Sequence, residues 1–262
     1  MRLLVHIHLH YQEQAEYFIG NLQNITVPYD IIFTLTQDND ETKQKILAHI
    51  PQAKFLTVKN LGYDVYPFIQ AMSLYDLDSY DLILKLHTKN SRTKSIAVNH
   101  IHYLNYEWRD DLIEPLIGSK EYFNNAISKF DSDQVGMVCS RNFIMKRESK
   151  ENNYLTAWLF SEYGIEYNAE YPFCAGTMFM CRSVIIKRIL SRHFTDDDFI
   201  SKNNDITGSV GSLAHSMETF FGVICKEQGY TLTGVQSAVT KRKYLLNFPK
   251  ALYHRDIRYM YF

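Results

Sequence analysis

The chain has 262 residues, 46% of them hydrophobic, which suits one large α/β domain or a domain with a small appendage. A formal net charge of -1 excludes a global field for nucleic acid or membrane, so any basic function must be local. Four scattered cysteines (Cys139, Cys174, Cys181, Cys225) lack C-x-x-C spacing, which speaks against structural zinc, and read as reduced thiols of a cytoplasmic protein.

The opening "MRLLVHIHLHY" holds too short an apolar run for a signal peptide or a spanning helix. Its residues 2–9 alternate with period two and predict a strand. Residues 12–24 read as a helix, and "YDIIFTLT" (29–36) as a second strand. "DNDETKQKILAHI" starts with acidic and capping residues and continues as a helix. "AKFLTV" (53–58) is a third strand, "NLGYD" a turn, and "VYPFIQAMSLY" a helix with Pro67 in its first turn. A fourth strand spans 81–87.

This alternation predicts a mostly parallel Rossmann-type sheet with helices on both faces. Ligands then sit beyond the carboxyl ends of the strands, near Leu9–Tyr11, Thr36–Asn39, Asn60–Asp64 and His87–Ser91. The second half is less regular. Residues 99–130 and 152–163 read as helical, 134–139 and 230–235 as strands, and 208–229 contains an amphipathic helix. A basic, aromatic segment, 236–262, reads as an appended tail.

In "SYDLILKLHTKNS" (79–91) an apolar strand exits into cations and hydroxyls. Lys85 and His87 share a strand face, and Thr88, Lys89 and Ser91 follow. Such donors can stabilise a departing diphosphate in place of a carboxylate-held metal; the bland alternative is a solvated loop with a snorkelling lysine. In "KNLGYDVYPF", Gly62 permits a tight turn, Asn60 can bond the turn backbone and Asp64 can cap the next helix. The turn is either an ordinary β-to-α connection or a nucleotide-contacting loop.

His6, His8 and His10 share one strand face, but neighbours there lie ~7 Å apart, so all three rarely reach one ion; His8 or His10 near a nucleotide is the stronger reading. Asp76–Asp78 precedes its strand, Asp38–Asp40 suits a helix start with Asp38 free to touch a base, and Asp196–Asp198 reads as a solvated turn. Glu218, three residues after His215 on a helix face amid Met217, Phe220 and Phe221, is either a surface carboxylate or a general base with a raised pKa.

"VHIHLHY", "NLGYDVYPF", "YDLILKLHTKNS", "WRDDLIEPLIGS", "VGMV", "FCAGTMFMCR" and "GSLAHSMETFFG" occur in an order that resembles the rhamnan synthesis F family of polysaccharide-assembly proteins, over about residues 3 to 222. One departure is "ITGSVGSLAHSME", where an Asp-Gly is expected, which puts a role for an aspartate at 207–208 in doubt. The resemblance implies a GT-A-like glycosyltransferase domain over 1–235, with a nucleotide-binding half (1–95), an acceptor half (96–235) and the tail 236–262. It implies assembly of a rhamnose-containing or related cell-surface polysaccharide of O-antigen, capsule or rhamnan type. The expected reaction is inverting transfer of rhamnose or a hexose from dTDP-rhamnose or a UDP-sugar to a saccharide or lipid-linked saccharide, with a metal-dependent or retaining transfer as the rival.

On that reading Glu218 is the base, and Lys85, His87, Thr88, Lys89 and Ser91 hold the donor diphosphate. His8, His10, Asn60, Gly62 and Asp64 hold the nucleotide. Phe173, Gly176, Thr177, Met178, Phe179, Arg182 and His215 wall the sugar and acceptor, while Trp108 and Arg109 either reach the acceptor or pack. No metal ligand and no cofactor is assigned; Mg or Mn stays open through the Asp38 or Asp196 region. No nucleic-acid partner is expected. The tail either docks peripherally on a membrane surface or packs back on the domain. The rival from another class is a non-catalytic saccharide-binding or scaffold subunit.

Overall fold

A computed structural model describes residues 1–98, 101–146, 153–166, 171–201 and 212–253. In chain order the elements are β1 (Leu3–His8), α1 (Ala15–Leu22), β2 (Tyr29–Leu35), α2 (Asp40–Leu47), β3 (Lys54–Thr57), α3 (Val65–Met72) and β4 (Leu82–His87). Then come β5 (Arg92–Val98), β6 (Ile101–Asn105), α4 (Glu107–Ile117), α5 (Lys120–Ser128), β7 (Val135–Ser140), β8 (Ile144–Lys146), α6 (Asn153–Glu162) and β9 (Pro172–Cys174). The chain continues through β10 (Phe179–Arg182), α7 (Ser183–Leu190), α8 (Asp196–Ser201), α9 (Leu213–Glu227), β11 (Thr231–Val235) and α10 (Ala238–Tyr253).

Seven strands form one sheet in the order β11-β7-β10-β4-β1-β2-β3. All its pairings are parallel except those of β10, which runs antiparallel between β4 and β7. The expected mostly parallel sheet with helices on both faces is therefore present, with β10 as an antiparallel strand inside it. Apolar side chains of α1, α2, α4 and α5 pack on one face, and those of α3, α6, α7 and α9 on the other.

The expectation of helix from 99 to 130 needs correction, because β6 pairs with β5 as a hairpin and the helices begin at Glu107. In "IHYLN", Ile101 and Tyr103 are buried and alternate with exposed His102 and Leu104, a period of two rather than 3.6. The tail also needs correction at its start. The Thr240 hydroxyl donates to the Asp111 carboxylate of α4, and the Ala238 amide donates to the Tyr122 hydroxyl at 2.9 Å. The first turns of α10 thus pack back on the domain. Residues 254–262, with Arg255 and Arg258, lie outside the described residues, as does the 207–208 position.

One face of the three central strands changes character along its length. Leu4, Ile32 and Ile83 begin it as core. His6 and Lys85 come next in register, followed by His8, Thr34 and His87, all buried. Polarity therefore grows toward the carboxyl ends of the strands, where parallel sheets open their ligand crevice.

Candidate active site

Two adjoining cavities lie at that end of the sheet. The first, about 420 Å³, is lined by His8, His10, Asn60, Tyr63, Thr88 and Arg92, among others. The second, about 310 Å³, is lined by Trp108, Ala175, Gly176, Thr177, His215 and Glu218. Tyr63, Asp64 and Lys89 line both, so they stand at the seam.

Lys85 does not point a free charge into either cavity. It is fully buried, and its ammonium donates to the Asp64 carboxylate, to the Thr177 carbonyl at 2.9 Å and to the Thr177 hydroxyl at 3.1 Å. Three partners use all three ammonium protons. The Thr177 hydroxyl in turn donates to Asp64. Asp64 sits at the cap position of α3, yet its side chain makes no capping bond. The expected cap is replaced by a buried ion pair, since an unpartnered lysine there would cost far more than an open helix end. Burial alone would raise the Asp64 carboxyl; the charges of His87, Lys85 and Lys89 outweigh it and hold the group well below the usual range.

His87 is buried, which pushes its imidazole down to about 3 against the raising effect of the Asp64 carboxylate, and its Nδ1 lies 3.0 Å from the Thr88 carbonyl. Its Nε2 lies 2.8 Å from the Gly176 carbonyl, to which it donates. Deeper on the same face, the Thr34 hydroxyl bridges His6 Nε2 at 3.0 Å and His8 Nδ1 at 2.9 Å, donating to one ring and accepting from the other. Burial holds His8 down at about 4 and His6 well below its ordinary value. His10 is exposed past the end of β1, beside Thr36 and edge-on to Tyr11. Among the described residues no group of three or more His, Cys, Asp or Glu is placed to hold a metal.

Lys89 takes the place at the seam that Lys85 was expected to fill. Its ammonium stands 4.5 Å from the centre of the Trp108 ring, with the Arg92 guanidinium 5.3 Å from the same ring. Burial lowers its pKa, while Asp64 and Glu218 pull the other way. The Thr88 hydroxyl accepts from the Tyr11 amide at 3.1 Å and so ties the loop after β1 to the end of β4. Ser91 is exposed and lines neither cavity.

Glu218 reaches the second cavity from the first turns of α9. Ser212 caps that helix through its hydroxyl, which also meets His215 Nδ1 at 2.6 Å. The Gly176 amide donates to Glu218 Oε1 at 2.5 Å. Burial raises the Glu218 carboxyl above its ordinary value, against the lowering effects of that amide and of Lys89. The amide aims this way because the turn is left-handed, with φ of +84° at Gly176 and +50° at Thr177. Glycine tolerates that conformation; threonine occupies it at a cost, which its bonds to Asp64 and Lys85 offset.

The rest of the expected acceptor wall falls elsewhere. Met178 and Phe179 are buried in opposite halves of the core, because β10 crosses the middle of the sheet and points alternate residues to its two faces. Arg182 lies opposite Leu82, at the far end of β4, where it donates to the carbonyls of Val135, Phe130 and Ser132. Phe173 sits on β9 and lines neither cavity. Trp108 does line the second cavity, whereas Arg109 is packing: its guanidinium lies 3.6 Å from the Tyr17 ring centre and is bonded to Asp110 and Gln14. Asp38 meets Lys43 and Thr57, and Asp196 meets Lys59 and Tyr66.

Sequence reasoning missed Tyr63 and Arg92. Tyr63 has φ of +54°, follows Gly62 at +68°, and is half exposed with its ring edge-on to His215 at 5.1 Å. An aromatic residue directly after a turn glycine was the available signal. Gly62 itself is the hinge of that turn; a side chain there would strike Tyr66 and Phe199.

A model of the family described as "Rhamnan synthesis protein F" matches residues 1–230. Two curated relatives, both described as "Uncharacterized protein WxcX", come from Xanthomonas campestris pv. campestris strains B100 and ATCC 33913. Each is 24% identical over 242 residues, covering 89% of this chain and 32% of its own length, so the chain spans about a third of these relatives. Among solved structures, S. aureus TarS 1–349 aligns at a TM-score of 0.45 and 10% identity, over 85% of this chain and 55% of that one. Its complex with UDP aligns at 0.42 and 11%, over 76% and 52%. A cytidylyltransferase from Leptospira borgpetersenii serovar Hardjo-bovis aligns at 0.42 and 9%, over 91% and 77%.

Proposed function

The chain belongs to the rhamnan synthesis protein F family, and from that premise we propose that it is a GT-A-like glycosyltransferase acting in cell-surface polysaccharide assembly. It moves a sugar, rhamnose or a hexose, from a nucleotide-diphosphate donor to a saccharide acceptor with inversion. The observation that carries this reading is Glu218: a half-buried carboxylate with a raised pKa, anchored by the Gly176 amide and facing a cavity that it shares with Lys89.

The donor nucleotide lies in the first cavity, beside His8, His10, Asn60, Tyr63 and Arg92. Its diphosphate reaches the seam, and the acceptor enters the second cavity past Trp108 and His215. Glu218 takes the proton of the acceptor hydroxyl, whose oxygen forms the new bond at the anomeric carbon. The bond from that carbon to the diphosphate oxygen breaks, and the leaving group departs with its electron pair toward Lys89 and Arg92. A neutral Lys85–Asp64 pair beneath the seam leaves those two cations to meet the developing charge. A lipid-linked acceptor would suit the basic, partly apolar outer face of α10, which we place against an anionic membrane surface.

Thermal-shift binding of dTDP, UDP, GDP and CMP, each with and without manganese, followed by hydrolysis of the matching sugar nucleotides, tests this reading. One diphosphate nucleotide stabilising the protein without metal, with slow hydrolysis of its sugar, is the expected result. A manganese-dependent shift moves the diphosphate site to a carboxylate-held ion. No shift and no hydrolysis leaves a saccharide-binding subunit, consistent with a Lys85 and an Asp64 that neutralise each other.

A further inference from the structure

The sequence places Lys85 among cations that would grip phosphate. Its surroundings assign it another task. Its ammonium is sealed beneath the seam, with Phe68 above it: Nζ lies 5.4 Å from that ring centre. Its partners are Asp64, from the start of α3, and Thr177, from the turn that precedes β10. Two of its three contacts therefore end on the residue after Gly176, and Gly176 is the residue whose amide holds Glu218.

We propose that Lys85, through its pair with Asp64, is a positioning residue that pins the Gly176–Thr177 turn in its left-handed form and so aims the Gly176 amide at Glu218. The inference rests on the reading of Glu218 as the base, and it deepens that reading. Three features of the site support it. Thr177 is a β-branched residue at positive φ, a conformation that persists where neighbours over-determine it. Its hydroxyl is doubly engaged, accepting from Lys85 and donating to Asp64. The Gly176 carbonyl is held as well, by His87 Nε2 at 2.8 Å, so both sides of the turn are fixed from β4.

The charges facing Glu218 give the pin a signature. Lys89, from the loop after β4, and Lys85 favour the carboxylate; Asp64, from the start of α3, opposes it; His215 lies one helical turn away on α9. Replacing Lys85 by methionine removes a favourable charge and unpairs an unfavourable one. Both changes raise the Glu218 pKa, so the acid limb of turnover moves to higher pH. A phosphate ligand has a different signature, in which diphosphate affinity falls and turnover at saturation survives.

The test uses Lys85→Met, Lys85→Arg and Thr177→Val in the full chain. The amide resonance of Gly176 is followed through a pH titration, alongside UDP and dTDP affinity and turnover of whichever sugar nucleotide the wild type hydrolyses. The Gly176 amide proton, drawn downfield by the carboxylate, should move back toward ordinary values in Lys85→Met, with its titration shifted upward. Turnover at saturating nucleotide should fall about 10- to 100-fold, the scale expected of a misaimed group; nucleotide affinity should hold within about twofold in Thr177→Val, where Asp64 stays paired with Lys85, and weaken in Lys85→Met, where the unpaired Asp64 faces the diphosphate. Lys85→Arg should restore part of both. Should Lys85→Met fail to fold, Thr177→Val decides, since it keeps the branched side chain and removes only the bridging hydroxyl. An unchanged Gly176 resonance and titration in the folded variants overturns the proposal, as does a loss confined to diphosphate affinity. If the wild type hydrolyses no sugar nucleotide, the transferase reading falls, while the amide titration still decides the pin.

Discussion

The two faces of the same central strands are built on opposite rules. Beneath α1 and α4, Val5, Ile7, Phe33, Leu84 and Leu86 form a dry layer that runs unbroken to the strand ends. Beneath α3 and α9, Leu4, Ile32 and Ile83 give way within two residues to His6, Lys85, His8, Thr34 and His87. Burial is nearly complete on both faces, so exposure does not explain the contrast. The polar groups on the second face are compensated locally, by the Thr34 bridge, the Asp64 pair and the carbonyls of the 176–177 turn, save His6 Nδ1, which is buried without a partner. One face carries stability by area, and the other spends stability on a fixed set of charges that opens into the cavities.

The sharpest break of this contrast is Glu218→Gln. It keeps the shape and the Gly176 contact but removes the proposed base, so turnover should fall ~10²- to 10⁴-fold while nucleotide binding is unchanged. Steady-state kinetics beside isothermal titration would check it, and near-normal turnover would refute the role. Leu84→Ala, on the apolar face, should do the reverse. Deleting a fully buried leucine costs about 2–5 kcal/mol of unfolding free energy, with turnover per folded molecule retained. Denaturant melts paired with kinetics would distinguish the two faces.

Acidification probes the polar face alone. His8 titrates at about 4 in the folded protein, and His6 and His87 are depressed as well, with His87 at about 3. In the unfolded chain each binds its proton near the ordinary value of about 6.5. Between those values the unfolded state holds more protons, so stability is full above about 6.5 and falls as pH drops. His8 alone should contribute about 3 kcal/mol of this loss by pH 4. Calorimetric midpoints should fall steeply from pH 6.5 to 4, and His8→Gln should flatten the curve; parallel curves would sink the assignment. Lys89→Ala is the milder companion. It should weaken diphosphate binding about 10- to 100-fold, the worth of one charge-assisted hydrogen bond, with little change in the melting midpoint.

Much of the fold was legible because strand and helix alternate so regularly through residue 87. The parallel register, the helices on both faces and the position of the cavities all follow from that. Lys85 was legible as a residue on the face of His87, but not as a buried one: a strand period says which side a residue takes, never what roofs it. The roof comes from α3, α9 and the 176–177 turn, which lie ~20 to 130 residues away in sequence, and only tertiary contacts bring them together. Met178, Phe179 and Arg182 were misplaced for a related reason. "FCAGTMFMCR" reads as one motif, yet only Ala175, Gly176 and Thr177 of it line a cavity before the chain enters an antiparallel strand leading away. Tyr63 escaped notice because its role depends on a backbone angle that composition does not carry.

The smallest effect belongs to α10, where the contrast of faces recurs on one helix. Thr240 is buried and bonded to Asp111, and Lys243 lies toward Glu107 and the Tyr103 ring. The opposite arc leaves Val239, Leu245 and Leu246 exposed at 47%, 58% and 70%, beside exposed Lys241 and Arg242. No acidic residue occurs in the helix. An apolar surface edged with cations and free of carboxylates matches an anionic bilayer, where each basic residue near the surface is worth about 1 kcal/mol. Cutting the chain at 236 would be a poor test. It removes Thr240 from Asp111, which also receives Tyr103 and Asn142, and so disturbs the domain itself. Lys241→Ser with Arg242→Ser leaves those contacts alone. Binding to vesicles rich in phosphatidylserine should drop about 30-fold on flotation, two residues at about 1 kcal/mol each, with neutral vesicles unaffected. Equal binding by wild type and variant would assign the exposed arc of α10 to a protein neighbour instead.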